Sequence, residues 1–268
     1  MQCGISTACF FPMNTLDALR QVTQLGAPVT EVFINTFSEM EDGYIAKLAS
    51  VAAAAKTRVA SVHPCSSAME GFFFATEYSG RMQDGIALYR RFFEAARALG
   101  ADKLVFHGDH RINKGMFATA RYIDHFCTLA AIGREYGVTL CHENVAYCRL
   151  GDPAAVRRVH PLLGEYAAFV LDTKQVHRFG APLEEMLAAM GKDVRHVHIS
   201  DYNDQKDCLP PGKGSLDMKK LVNSLLAVGY TGDFIIELYR DGFDDIMDLA
   251  NAMQYIQAFL PAKQVLQG

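Results

Sequence analysis

Four side chains able to ligate a cation stand at the ends of four apolar runs: Glu143 in VTLCHEN, Asp172 in AFVLDT, His198 in VRHVHISD and Glu237 in FIIELYR. Three carboxylates and one imidazole make a hard, oxygen-rich donor set. It suits a divalent ion, Mn²⁺ foremost, with Zn²⁺, Co²⁺ or Mg²⁺ as alternatives. Such an ion works as a Lewis acid on a carbonyl, and a carboxylate beside it can take or return a proton, so Glu143 and Glu237 are candidates for catalysis as well as for ligation. Alone, each of the four reads as a polar residue where a strand meets its loop. Repeated at successive strand ends, they point to one site.

Two more histidines occupy equivalent positions, His63 in VASVHPC and His107 in KLVFHGD, and are expected to contact substrate or to hold a second metal. His196 and His198 share parity along their strand and therefore point to the same side, His196 lower as a supporting or core residue. Asp201, three residues beyond His198, has two readings: it orients an imidazole or binds a sugar hydroxyl, or it caps a turn. The loop LPPGKGSLD offers a phosphate nest at Gly212 to Gly214, and Ser215 or Asp217 as the start of a helix. The aromatic runs Phe10–Phe11 and Phe72–Phe74 suggest an apolar wall or lid, or a surface buried against a second subunit in a homo-oligomer.

Groups at the ends of separate strands converge only if those strands are parallel and close together. Candidate strands lie near 3–8, 28–34, 57–62, 103–107, 138–143, 168–172, 194–199 and 233–237, with helical patterns between them. In one of these, GIALYRRFFEAARALG, Leu88, Phe92, Ala95 and Leu99 recur at helical spacing and should face the sheet. Another, TLDALRQVTQLG, offers Thr15 as a cap and Gly26 as a stop. Eight βα units in 268 residues predict a single (β/α)₈ barrel spanning residues 1–268, with the chemistry at the C-terminal ends of its strands. A doubly wound sheet would want a glycine-rich turn after its first strand, and ISTACFFPM is not one. The tail AKQVLQG reads as a frayed end.

Lys plus Arg number 26 against 30 Asp plus Glu, a formal charge of −4, which argues against a nucleic-acid partner. No 18-residue apolar stretch is present to enter a membrane, and the start of the chain lacks a basic n-region. Seven scattered cysteines without a CxxC pair read as thiols in a reducing, cytoplasmic compartment.

Taken in order, FHGD, HEN, LDT, HVHISD, PPGKGSLD and GYTGDFIIELYR resemble the xylose-isomerase-like TIM-barrel superfamily, which includes sugar isomerases and epimerases and the endonuclease IV type of repair enzyme. The resemblance implies a metal held by Glu143, Asp172, His198 and Glu237, with the two glutamates flanking a sugar or sugar phosphate. Many members carry a His where this chain has Gln175, which takes over as a substrate-binding candidate, and ketose epimerases often carry an Arg where it has Asp204. The Asp-x-His pair an endonuclease IV needs for its third zinc is missing between Asp201 and Gly214. The function implied is a metal-dependent sugar isomerase or epimerase working through an enediolate. The alternatives are a keto-inositol-type dehydratase, an abasic-site phosphodiesterase, and a barrel that binds a sugar without turning it over.

Overall fold

Strands separated by long helical segments cannot form hairpins with their sequence neighbours, so they pair in parallel through crossovers. A computed structural model describes residues 1–111 and 118–261 of the chain. Its strands are β1 (Cys3–Ser6), β2 (Val29–Ile34), β3 (Arg58–Pro64), β4 (Lys103–Phe106), β5 (Thr139–Glu143), β6 (Phe169–Asp172), β7 (Val194–Ile199) and β8 (Phe234–Ile236). All pair in parallel in chain order, and β1 closes on β8 with Cys3 opposite Phe234 and Ile5 opposite Ile236. The helices outside are α1 (Thr15–Gln24), α2 (Asp42–Ala55), α3 (Glu70–Phe74), α4 (Ser79–Ala98), α5 (Thr119–Glu135), α6 (Pro153–Leu163), α7 (Thr173–Phe179), α8 (Leu183–Met190), α9 (Met218–Ala227) and α10 (Met247–Gln257). The predicted eight-stranded barrel is therefore present.

The main core lies between sheet and helices, where Tyr89, Phe92 and Phe93 of α4 and Phe126 of α5 pack against the strands. Two smaller apolar clusters, Val29, Ala60 and Ile235, and Val105, Cys141, Ala168 and Val170, come from the barrel wall. Cys141, Val170 and Ile235 stand two residues before Glu143, Asp172 and Glu237, so strand alternation puts the acids on the same side, one layer above the apolar residues.

Asn14, not Thr15, caps α1, its side chain accepting from the Asp17 amide at 3.0 Å, while the Thr15 hydroxyl is drawn away to the Phe33 carbonyl and to Glu39. The aromatic run also differs from expectation. Phe73 and Phe74 are core, Phe74 packing against Tyr89 and Phe106, and Phe72 lies under the Arg81 guanidinium, so this run is not a lid. Among the described residues, no helix is long and apolar enough to cross a membrane. All seven cysteines are free thiols, and the tail AKQVLQG lies outside the described residues.

Candidate metal and substrate site

One ligand atom each from Glu143, Asp172, His198 and Glu237 lies within 4.8 Å of every other. His198 Nδ1 is 3.9 Å from Glu143 Oε2, 4.0 Å from Asp172 Oδ2 and 3.6 Å from Glu237 Oε2. Glu143 Oε2, Asp172 Oδ2 and His198 Nδ1 are buried and make no hydrogen bond. An unsatisfied buried polar atom is costly and rare, so three that converge on one point make a candidate cation site, and this oxygen-rich set fits a divalent ion.

His198 is aimed by a residue the sequence reading missed. Glu31, fully buried in β2, takes His198 Nε2 at 3.0 Å, and the same oxygen takes His196 Nε2 at 3.0 Å and the Ser61 hydroxyl at 2.8 Å. Its other oxygen accepts from the Ser6 hydroxyl. Burial alone would raise the Glu31 carboxyl, but the His198 charge and the imidazole hydrogen bonds hold it well below the usual range. Without an ion the His198 ring is held charged, against its burial, by Glu31 and Glu237; a bound ion would displace the Nδ1 proton, leaving Nε2–H donating to Glu31 and the Nδ1 lone pair facing the other ligands. An acid within the apolar run VTEVFI was the available signal. Changing Glu31 to Gln is expected to weaken divalent-ion binding by about 10- to 100-fold, the usual cost of losing such a partner. Titration calorimetry with Mn²⁺ checks it, and unchanged affinity would remove Glu31 from the site.

Above these groups opens a cavity of about 310 Å³. Of the four ligand candidates only Glu143 and Glu237 line it, together with His63, His107, Lys174 and Gln175. Phe11, Phe33, Tyr147 and Tyr239 form an aromatic surround, so Phe11 of the first aromatic run does reach the mouth. His107 Nε2 lies 3.0 Å from both His63 Nε2 and Glu143 Oε2, without hydrogen-bond geometry to the latter. Burial would lower His107, but the Glu143 charge raises it to about 9. Burial likewise would raise Glu143, and the His107 charge with the surrounding imidazoles holds it well below the carboxylate range. His63, His107 and Glu143 also form a second set of three potential ligands.

Gln175 Oε1 accepts from the Ala146 amide at 3.1 Å, which fixes the side chain at the cavity wall. Asp201 is the one site candidate placed elsewhere. Its carboxylate accepts from the amides of Tyr202, Gly212, Gly214 and Leu216, so it pins the loop after β7 and has no free oxygen for a hydroxyl or an imidazole. The same bonds fill the glycine nest with a carboxylate, leaving no phosphate site there. His177 stacks on Tyr202 at 3.9 Å, outside the cavity wall. The loops over the site are tied down by a buried bidentate pair, Arg149 with Asp109, at 2.7 and 2.6 Å.

Sequence reasoning also passed over Lys174, two residues after Asp172. Its ammonium is buried, 3.1 Å from Glu237 Oε2 and 3.5 Å from Asp172 Oδ2, with the Tyr239 ring 4.7 Å away. Burial would lower this lysine, but the charges of Asp172 and Glu237 hold it well above its ordinary value.

A family model described as a xylose isomerase-like TIM barrel matches residues 19–260. The inosose isomerase of Bacillus subtilis is 25% identical over 175 residues, which cover 62% of this chain and 60% of that protein. The chain thus spans about three fifths of the length of that relative, and 47% of the Bacillus licheniformis inosose isomerase. Among solved structures, a D-tagatose 3-epimerase-like protein superposes with a TM-score of 0.77 at 15% identity, covering 97% of both chains. A D-psicose 3-epimerase with D-tagatose from Clostridium cellulolyticum H10 gives 0.79 at 15% identity, covering 98% of this chain and all of the other. At that identity the likeness speaks for the fold.

Proposed function

Because the chain belongs to the xylose isomerase-like TIM-barrel family, we propose that it is a divalent-metal-dependent sugar isomerase or epimerase in which Glu143 and Glu237 move the proton. The observation that carries this reading is the division of labour at the cavity. Both glutamates line it, whereas Asp172 and His198 do not and serve to hold the ion. When bound, a divalent ion supplies Lewis-acid polarisation of a hydroxycarbonyl, which acidifies the neighbouring C–H. One glutamate removes that proton and the other returns it, to the opposite face for an epimerisation or to the adjacent carbon for an isomerisation. His107, beside Glu143, and Gln175 orient hydroxyls, and the aromatic surround supports the apolar face of the ring.

An unphosphorylated substrate is favoured. Lys174 is the only lysine or arginine among the described cavity residues, its charge is engaged by two carboxylates, and the nearby glycine loop is filled by Asp201. The inosose isomerases among the relatives favour a ketone-bearing cyclitol as a second reading within the same chemistry. Abasic-site cleavage finds less support. The stretch between Asp201 and Gly214 lacks the further ligand pair, and the chain is acidic.

Incubation of Mn²⁺-loaded protein with ketoses and inososes in D₂O is expected to place deuterium on the carbon beside the carbonyl. Conversion without wash-in, together with full activity in both Glu143→Gln and Glu237→Gln, would rule out the proton-transfer roles.

A further inference from the structure

The buried Lys174 has no role in the proton transfers proposed above, and its contacts are specific. Its Nζ meets Glu237 Oε2 and Asp172 Oδ2, the same two oxygens that face His198 Nδ1 in the ligand cluster. We infer that Lys174 is a built-in competitor of the divalent ion, its ammonium neutralising Asp172 and Glu237 in the empty cage and opposing the ion that would take them. The inference rests on the reading of these four residues as a metal site.

Asp172 and Glu237 are buried beside Glu143, and three carboxylates packed together repel one another strongly where water does not screen them. An ammonium 3.1–3.5 Å from two of them offsets much of that cost. A divalent ion sharing those oxygens is then repelled by the ammonium at close range. Loading must either work against that repulsion or turn Nζ away. The way out is built: the stem is flexible, and Nζ already lies against the Tyr239 ring on the wall of the open cavity. The lysine therefore trades metal affinity for an empty site that stays folded and exchanges its ion.

The test is Mn²⁺ titration calorimetry on chelator-stripped protein, with thermal melts. Lys174→Met is expected to bind Mn²⁺ about tenfold or more tightly than wild type, while its metal-free Tm falls and its Mn²⁺-induced rise in Tm grows. Lys174→Arg keeps the charge and should stay within about threefold of wild type. A folded Lys174→Met with unchanged or weaker affinity would overturn the inference, as would an arginine variant that tightens as much as the methionine one. A merely structural lysine would lower the metal-free Tm without tightening Mn²⁺. Should the methionine variant not fold, the wild-type chain decides: the protected ¹⁵N–¹H signal of the buried ammonium must shift or vanish on adding diamagnetic Zn²⁺, and a signal that stays in place counts against competition. Wild type that binds no divalent ion would bring down the metal site as well, whereas binding without the lysine effect fails this inference alone.

Discussion

Glu143→Gln and Glu237→Gln should each lose about 10²–10⁴ in kcat on whichever ketose or inosose shows deuterium wash-in, equivalent to roughly 3–5 kcal/mol of barrier. Glutamine keeps the size and one oxygen of the side chain but can neither accept nor return a proton at neutral pH, and it removes a ligand charge. The assay therefore needs saturating Mn²⁺, and each variant must match the wild-type circular dichroism. The surroundings of the two carboxylates differ in a way the data can exploit. Glu143 lies among His63, His107 and His198, and Glu237 beside Lys174. If one glutamate starts the reaction and the other completes it, the variant lacking the second base should still exchange substrate protons with D₂O while failing to form product. A variant that keeps near wild-type kcat at saturating metal would leave its glutamate as a ligand only.

The barrel and the four ligand candidates were legible because each signal is local. A short run of β-branched and aromatic residues ending on Glu, Asp or His declares both the strand and the end at which its chemistry lies. Even the boundaries hold closely, with Glu237 and His107 each one residue past the last paired strand residue. What was not legible depends on distant partners. Glu31 acquires its role from His196 and His198, more than 160 positions away, and nothing in VTEVFI announces them. Asp201 has two readings in the sequence, a group beside His198 in the site or a turn cap, and the cap is what forms. Only the folded loop shows the amides of Gly212, Gly214 and Leu216 returning to consume its carboxylate. Lys174 lies in LDTKQ with nothing local to mark it, because its burial depends on Glu237, which is 63 positions away. The partners of Glu31 and the Glu237 partner of Lys174 come from other strands, and those of Asp201 return from the far end of its own loop.

Glu70 makes a second large effect testable, in stability. Its carboxylate begins α3 and is fully buried, accepting from the Tyr89 hydroxyl and the Gly108 amide, both at 2.5 Å. Gly108 follows His107 with φ +83°, and a Cβ there would lie 2.1 Å from the Tyr122 hydroxyl, so this turn has little freedom and Glu70 helps hold His107 at the cavity. Burial pushes the Glu70 carboxyl up from 4.5 to about 7, against the opposing pull of the His107 charge and of the two hydrogen bonds. A folded value above the unfolded one means that the native state binds the extra proton between them. The stabilisation is then fully present below about pH 4.5 and is lost as pH rises through about 7, a loss of about 3 kcal/mol from the size of the shift. Glutamine does not ionise. At low pH Glu70→Gln should be the less stable protein, because its amide nitrogen cannot accept from Gly108, but between pH 5 and 8 it should gain about 2–3 kcal/mol relative to wild type. Urea unfolding of both proteins across that window reads the difference, with groups away from His107 cancelling in the comparison and the His107 charge, which Glu70 helps to hold, moving with the substitution. Parallel stability curves would mean that Glu70 is ionised throughout, held by its two donors and by His107 rather than governed by burial.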